Sequence, residues 1–561
     1  MKIDIFILFF FYYISVFSIF GYGIFFQRLI NISENKRICL GYSGLIGIFI
    51  LIMYSYISHL FYSHGIYHNL IILILGLFLF YKNILEKKFY NTDFKVLVVI
   101  FLLLFVSFLI FKSHDDFPYY HFPYTYYLNQ NSLIFGVGHL NHGFRTPSSL
   151  FYFNSLFYLP IIKYYLFHIG PAIIFGSTIF IFFSNIKASI QKKDINYIYF
   201  FDLLSLIFIL VFFYRLAEHG TDRSAQILTF LIISEIFRAF AVKKISVYEI
   251  SKLSIIFALS VSLKAFYLLY GLLVIPLIIV LSKKIGFKNL LEKILSNKAF
   301  YFSILLLCLV LITNFFNTGC LVYPIKIVCF TDFEWSIQLK EIERMALHYE
   351  NWSKAGMTPN FKVDNPNNYV KNFNWIKRWF ETYFFFKVSD FLLGIIFLLL
   401  IFGITFFSKR KQKKNLKKEI FFVYIIMIIL LIEWFIKHPA LRYGGYSLIA
   451  IILFIPFSLK FEKYKTKLHS IKKKTFIIIL IGITVFTLRN FDRLIKENKK
   501  YNYNVFVNPY YKVDENYFYL ENKIYDLTNN YNLCKKNITK CNQDGPFTLK
   551  KMNKNLLIKR R

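Results

Sequence analysis

Two adjacent carboxylates, Asp115 and Asp116, stand directly after an apolar run, in the sequence SHDDFPYYH. The preceding residues, 95–112, are long and apolar enough to cross a membrane, so the pair lies at the lip of a predicted span. A charged side chain at that position is unfavourable in free energy unless it is solvated by water or paired with another group. A carboxylate there suits acid–base chemistry, and we predict that Asp116 is a general base and Asp115 its supporting partner.

The composition indicates a polytopic membrane protein. Hydrophobic residues make up 57% of the 561 residues, and the apolar stretches recur along the whole chain instead of forming one core. The net charge of +36 suggests a nucleic-acid partner at first, but Lys and Arg concentrate in short segments between spans, as in cytoplasmic loops. We therefore predict no nucleic-acid partner, and an all-α fold of about 13–14 transmembrane helices with small extracytoplasmic loops.

The stretch 252–282 decides the topology, because it is too long for one span and carries Lys264 near its middle. Basic residues flank both ends, so we predict a helical hairpin whose tip at Lys264 lies on the outer side. The N-terminus is then also outside, and the basic loops 82–95, 186–196, 283–298, 408–419 and 460–474 are cytoplasmic. The predicted regions are N-terminal helices (1–92), a membrane core (93–316) with its first outer loop at 113–162, an outer loop (317–388), C-terminal helices (389–489) and an outer tail (490–561).

Polar residues that could take part in catalysis or binding lie in the outer loops of this topology. They are found in SHDDFPYYH, RLAEHGTDRSAQ, KHPALRYGGY and the hairpin tip. Ordinary solvated loops remain the alternative, although solvation alone does not predict such crowding of His, Asp and Arg. We predict phosphate binding by Lys264, Arg223 and Arg442, substrate binding by His121, Tyr120 and His219, and a divalent cation such as Mg²⁺ or Mn²⁺ on Asp115, Glu218 and Asp222.

Four of the cysteines agree with this sidedness. Cys320 and Cys329 form one closely spaced pair on the predicted outer side, and Cys534 and Cys541 form another. In an oxidising compartment each pair would close a small disulfide loop, and four free thiols are the alternative.

The order of these features resembles a known family. The chain has an acidic pair immediately after a span, then the aromatic stretch from Tyr119 to Tyr127, then the segment RTPSSLFYFNSLFYLP. This order resembles the GT-C class of membrane glycosyltransferases, in particular bacterial members whose first loop reads DDF.YYH.P. The resemblance covers residues 93–316. It implies transfer of a sugar from a polyprenyl-phosphate donor to a glycan or lipid acceptor, on the periplasmic side of the bacterial inner membrane.

Departures from that family leave the acceptor open. The chain has about three additional helices before the acidic pair and lacks a clear large globular C-terminal domain. Two other classes also remain. A polymerase or ligase of lipid-linked oligosaccharides would have many helices and outer loops with Arg and His, but it needs no acidic pair. A transporter or structural membrane protein would place charges at mid-membrane in two similar halves, and we find no internal repeat.

Overall fold

The computed structural model describes residues 4–30, 39–86, 89, 91–242, 246–356, 363–409, 418–464, 467–507, 513–536, 546–552 and 555–560. Over these residues the chain is an all-α polytopic membrane protein, as the sequence predicts, and it also has three short strands that the sequence analysis does not predict.

The elements follow one another in this order. The α-helices are α1 (Ile5–Leu29), α2 (Leu40–His59), α3 (Ile66–Leu85), α4 (Asn91–Phe105), α5 (Phe122–Gln130), α6 (Ser149–Ser155), α7 (Ile169–Gln191), α8 (Tyr197–Phe212), α9 (Asp222–Ala241), α10 (Val247–Leu263), α11 (Val274–Ile285), α12 (Phe287–Leu295), α13 (Lys298–Thr318), α14 (Leu339–Lys354), α15 (Pro366–Val370), α16 (Ile376–Trp379), α17 (Ser389–Phe406), α18 (Lys418–Lys437), α19 (Tyr446–Glu462), α20 (Leu468–Tyr501) and α21 (Tyr519–Lys535). The strands are β1 (Ile134–Phe135), β2 (Phe547–Met552) and β3 (Asn555–Arg560).

Eleven helical segments of the described chain are long and apolar enough to cross a membrane, judged by length and composition. They are Ile5–Leu29, Leu40–His59, Ile66–Leu85, Asn91–Phe108, Ile169–Gln191, Asp222–Ala241, Ala265–Ile285, Lys298–Thr318, Ile376–Phe406, Lys418–Lys437 and Leu441–Glu462. The count is lower than the predicted one partly because α8 and α10 are short, with 16 and 17 residues.

Glycines let the first helices approach one another closely. A Cβ atom on Gly21 of α1 would lie 2.0 Å from the carbonyl oxygen of Gly76 in α3, and one on Gly47 of α2 would lie 2.2 Å from that of Ile19. Membrane helices lack a hydrophobic driving force for association and rely on such small residues for tight packing. The three N-terminal helices therefore form one closely packed group.

The stretch after α9 has the predicted helical hairpin. Helix α10 ends at Leu263, Lys264 has an extended backbone (φ −154°, ψ 116°), and the chain returns through a 3₁₀ helix, Ala265–Leu273, into α11. Lys264 contacts Asp222 at the start of α9. Lys284, near the end of α11, donates to the carbonyl oxygens of the other end of α9. The two arms therefore run the length of α9 in opposite directions.

The C-terminal residues dock on the loop 113–162. Strand β3 pairs antiparallel with β2 and parallel with β1, with Ile134 opposite Leu556. The Tyr519 hydroxyl donates to the backbone oxygen of Tyr119 at 2.8 Å. Helix α20 also continues to Tyr501, beyond residue 489, where the predicted C-terminal helices end. The predicted tail is thus partly a helical extension and partly a cover over the first long loop.

The predicted disulfide between Cys320 and Cys329 is present. Cys320 and Cys329 are bonded and fasten the chain that follows α13. Cys541, the predicted partner of Cys534, lies outside the described residues. That second pairing stays a prediction.

Candidate functional site

Four separate segments meet at one end of the helices, which we call the site end. They are the residues that follow α4, the first turn of α9, the break at Lys264 and a distorted helical turn, Leu441–Gly445, before α19. The contacts between Asp116, Asp222, Lys264 and Arg442 join all four segments. The topology predicted from Lys and Arg puts these residues on one side of the membrane, and the structure brings them into direct contact.

Four charged side chains form an unbroken series of ion pairs, which we call the charge cluster. They are Asp116, Arg442, Asp222 and Lys264. Arg442 donates from Nη2 to Asp116 Oδ2 at 2.8 Å and from Nε to Asp222 Oδ2 at 3.2 Å. The Nζ of Lys264 lies 2.9 Å from Asp222 Oδ1. Two carboxylates and two cations alternate, so each charge has a partner of opposite sign.

Gln226 holds the turn that carries Arg442. Its side-chain nitrogen donates to the backbone oxygen of Arg442 at 2.9 Å, and its side-chain oxygen accepts from the backbone N–H of Ser447 at 3.2 Å. The turn needs a glycine at position 444, because Gly444 has a φ of +92°, a backbone conformation that other residues rarely adopt. Gln226 lies four residues after Asp222, so one face of α9 supplies both a charge of the cluster and the support for Arg442.

The four side chains of the charge cluster differ in how exposed they are. The side chain of Asp222 is only 8% exposed, whereas those of Asp116, Arg442 and Lys264 are 25%, 30% and 32% exposed. Asp222 is thus the buried anchor of the cluster, and the other three side chains can also contact a bound molecule.

Asp116 is held in its ionised form. Burial by itself would raise the pKa of this carboxyl, but the neighbouring charges, Arg442 first and His114 after it, together outweigh burial and bring the pKa below its ordinary value. The Tyr120 hydroxyl also donates to Asp116 Oδ2, at 3.2 Å. Tyr120, predicted to bind substrate, therefore contacts the carboxylate directly.

Asp115 has different surroundings. Its side chain is 89% exposed and lies 3.6 Å from the Nζ of Lys112, one turn earlier in the chain. Neighbouring residues at the end of a helix point in different directions, so only one of the two carboxylates joins the charge cluster. Asp115 is a surface residue in this structure, and its supporting role stays a prediction.

The two predicted substrate-binding histidines are buried. The side chain of His121 is 6% exposed, and burial lowers its pKa well below the usual value. His219 is 1% exposed, its Nε2 lies 2.6 Å from the backbone oxygen of Phe213, and burial lowers its pKa to about 3. Neither imidazole is open to a large substrate in this conformation, so the substrate-binding role is not supported for either.

The carboxylates predicted to hold a divalent cation do not come together. Glu218 pairs with Arg215 at 3.3 Å and with Arg493 at 2.6 Å, whereas Asp115 and Asp222 have the separate partners given above. Each of the three carboxylates pairs with its own cations, so the described residues do not gather this set around one ion.

Arg223 also stays outside the charge cluster, since its guanidinium makes no ion pair or hydrogen bond to the described part of the chain. Of the three predicted phosphate-binding cations, the cluster therefore contains Lys264 and Arg442.

Two neighbours of the charge cluster were missing from the sequence predictions. His114 has its Nδ1 3.7 Å from Asp116 Oδ2, and the same nitrogen accepts the backbone N–H of Asp116 at 3.0 Å. Gln226 supports Arg442 as described. The i, i+4 spacing of Asp222 and Gln226 in the sequence DRSAQ was the available signal for the second residue.

A second group of charges is buried near the other end of α9. Glu235 accepts from Lys252 at 2.5 Å and from the Tyr42 hydroxyl at 2.5 Å, and Asp202 pairs with Arg238. Glu235 and Asp202 are 2% and 0% exposed. Each buried carboxylate has a cationic partner, which the low polarity of this position requires.

Comparison with known proteins gives one match. The model of a family described as Domain of unknown function (DUF8201) covers residues 5–449. The chain belongs to the DUF8201 family. No curated protein and no solved structure shows significant similarity to it. All four residues of the charge cluster lie within the part matched to DUF8201, whereas α21 and the β2–β3 hairpin lie beyond it.

Proposed function

We propose that this chain is an integral membrane glycosyltransferase that transfers a sugar from a polyprenyl-phosphate donor to a glycan or lipid acceptor, on the periplasmic side of the bacterial inner membrane. The observation that carries the proposal is the charge cluster, a partly open set of acids and bases at the ends of apolar helices. A donor of this kind keeps its tail in the bilayer and its phosphate at the interface, so its enzyme needs charged groups at that height.

Lys264 and Arg442 suit the phosphate of the donor. Both cations are about one-third exposed, and each has a carboxylate partner that an incoming phosphate oxygen can replace or join. Arginine binds phosphate through two parallel hydrogen bonds, and lysine adds a point charge. The same cations would stabilise the negative charge that grows on the leaving phosphate.

Asp116 suits activation of the acceptor. In the transfer, the acceptor hydroxyl oxygen bonds to the anomeric carbon of the sugar while the bond from that carbon to the donor phosphate oxygen breaks. The bonding electrons leave with the phosphate, and the hydroxyl proton goes to Asp116. The carboxylate is 25% exposed and ionised, so it is open to an acceptor and ready to take a proton.

A transporter is the second candidate, and the buried charges around Glu235 are the observation that favours it. Ionisable residues inside membrane helices often line a path for ions or protons. Both carboxylates of that group, Glu235 and Asp202, are however paired with cations, which is typical of a structural network. We therefore rank transport below transfer of a sugar.

The test compares surface glycans and lipid-linked sugars by mass spectrometry in cells with and without the gene. We expect one sugar to be missing from a surface glycan or lipid without the gene. The wild-type gene and the Asp115→Asn variant should restore it, and the Asp116→Asn variant should not. Unchanged glycans in the deletion strain, or full restoration by Asp116→Asn, would refute the proposal.

A further inference from the structure

A small cavity lies beside the charge cluster. It has a volume of about 20 Å³, and its lining includes His114, His121, His168, Thr125, Asn154 and Gly220. This volume is enough for one water molecule or one metal ion. Three imidazole rings line this space, and imidazole nitrogens can bind a water molecule or a metal ion.

His121 is one of the residues that line this cavity. The residue is 6% exposed, and neither ring nitrogen has a hydrogen bond to the described residues. Buried polar groups in folded proteins nearly always have a partner. His121 is therefore expected to bind something that is not part of the chain.

Asp116 and His114 offer ligand atoms next to His121. Asp116 uses Oδ2 to accept from Arg442 and Tyr120, whereas its Oδ1 has no donor among the described residues. One ligand atom each from His114, Asp116 and His121 lie within 4.8 Å of one another. A modest contraction of these side chains would bring all three to one ion.

We propose that His114, Asp116 and His121 bind one divalent transition-metal ion such as Zn²⁺, Mn²⁺ or Co²⁺. Two imidazole nitrogens and one carboxylate oxygen on one side of an ion leave its other positions open, as in sites that bind and activate a further ligand. Mg²⁺ and Ca²⁺ prefer oxygen ligands alone, so this site selects against them. The set differs from the all-carboxylate site that the sequence suggested.

The surroundings allow the contraction that the ion requires. A Cβ atom at Gly220 would lie 3.2 Å from His121 Cε1 and 3.5 Å from His114 Cδ2, so the absence of a side chain there leaves both rings room to turn. Binding through His114 Nδ1 would replace the hydrogen bond from the Asp116 backbone. Arg442 would stay on Asp116 Oδ2 as the partner that orients the carboxylate toward the ion.

The consequence for catalysis rests on the proposed function. An ion at this site would lower the pKa of an acceptor hydroxyl bound to it, and the hydroxyl proton would go to the Asp116 oxygen that the ion does not hold. Metal binding can nevertheless be measured without any glycosyl transfer, which separates the two proposals.

The experiment uses the purified full chain in lipid nanodiscs, stripped with a chelator and dialysed against Zn²⁺, Mn²⁺, Co²⁺ or Mg²⁺ in separate samples. Elemental analysis should give one transition ion per chain and no saturable binding of Mg²⁺. His121→Gln and Asp116→Asn should each weaken binding by more than the roughly 10–100-fold that loss of an outer partner costs. The matched controls are Asp115→Asn and His142→Gln, a carboxylate and an imidazole of the same loop that lie outside the three-residue group, and both should bind as the wild type does.

The absorption spectrum of the Co²⁺-loaded wild type gives a readout that needs no variant. We expect ligand-field bands of an ion with nitrogen ligands, and these bands should disappear when excess Zn²⁺ is added. No saturable binding to the wild type, or binding unchanged in His121→Gln, would overturn the metal site and leave a bound water as the partner of His121. Metal binding without any effect of the gene on glycans would instead sink the proposed function alone.

Discussion

Replacing Asp116 by Asn is the most informative single change in this protein. Asparagine keeps the volume of the side chain and one acceptor oxygen but removes the charge that meets Arg442 at 2.8 Å. Arg442 would still pair with Asp222 at 3.2 Å, so the cluster loses one contact and not its whole structure. The variant therefore tests the chemistry of the carboxylate and leaves the fold in place.

The expected loss of stability in this variant is small, and the expected loss of transfer activity is large. A hydrogen bond to a charged group is worth about 1.5–3 kcal/mol, and the partial exposure of Asp116 and Arg442 reduces this to about 1–2 kcal/mol of stability. A fold with roughly 5–15 kcal/mol of stability remains fully populated after such a loss. Removing a general base lowers transfer by about 10²-fold or more, so the expected loss of activity far exceeds any loss of folded protein.

The assay measures transfer by purified protein in vesicles that contain polyprenyl-phosphate sugars, together with thermal unfolding. Asp115→Asn is the matched control, because Asp115 is the adjacent residue and is 89% exposed. We expect the control to keep both transfer and unfolding temperature. Equal losses of transfer in the two variants, or full transfer by Asp116→Asn, would show that the charge cluster has no catalytic role.

Three further predictions concern other residues. Lys264→Met should raise the apparent KM for the donor by about tenfold at unchanged expression, since it removes one cation from the phosphate site, and transfer at varied donor concentration checks this. Glu235→Gln should lower stability by about 3–5 kcal/mol, because it leaves Lys252 buried without its partner, and the double variant with Lys252→Met should recover most of the loss in thermal unfolding. The pKa of His219 falls from 6.5 to about 3 on folding, so the unfolded chain binds a proton that the folded chain does not, and stability should fall as the pH decreases through this window. His219→Gln should flatten that pH dependence in unfolding measurements.

Each of these predictions has a clear contrary result. An unchanged donor KM in Lys264→Met would leave this lysine as a marker of the hairpin turn. Additive losses for Glu235 and Lys252 would show that the two side chains are not coupled. The same acid sensitivity in His219→Gln would assign it to other buried histidines, of which His168 is the closest candidate because burial also lowers its pKa to about 3.

The helices could be predicted well from the sequence, because a membrane span needs a long apolar run and little else. The hairpin at Lys264 is the best example, since the basic residues on both sides of 252–282 leave no other arrangement. Helix ends were harder to predict. Helix α20 continues to Tyr501 through polar residues, and Arg493 and Glu497 in that extension pair with each other at 2.5 Å, a contact that has no signal in hydropathy.

The charge cluster could be predicted only in part. Its members were all singled out, because charged residues near the ends of apolar runs are costly and rare. Their pairing was not predictable, since Asp116 and Arg442 are 326 positions apart in the chain. For the same reason the sequence could not distinguish Arg442, which joins the cluster, from Arg223, which does not. The predicted metal set likewise came from counting carboxylates without knowing which cation each one would meet.

The pairing of β1 with β3 also determines when during synthesis the folding of this protein can be completed. Residues 134 and 135 leave the ribosome long before residues 556 and 557, their partners in the sheet. At about 5–20 residues per second, synthesis of the intervening chain takes tens of seconds. During that interval the segment that carries Asp116 is already inserted but lacks its cover. Newly made chains should therefore pass through a stage in which this loop is open to proteases, and a reporter that replaces the last residues would prolong that stage indefinitely.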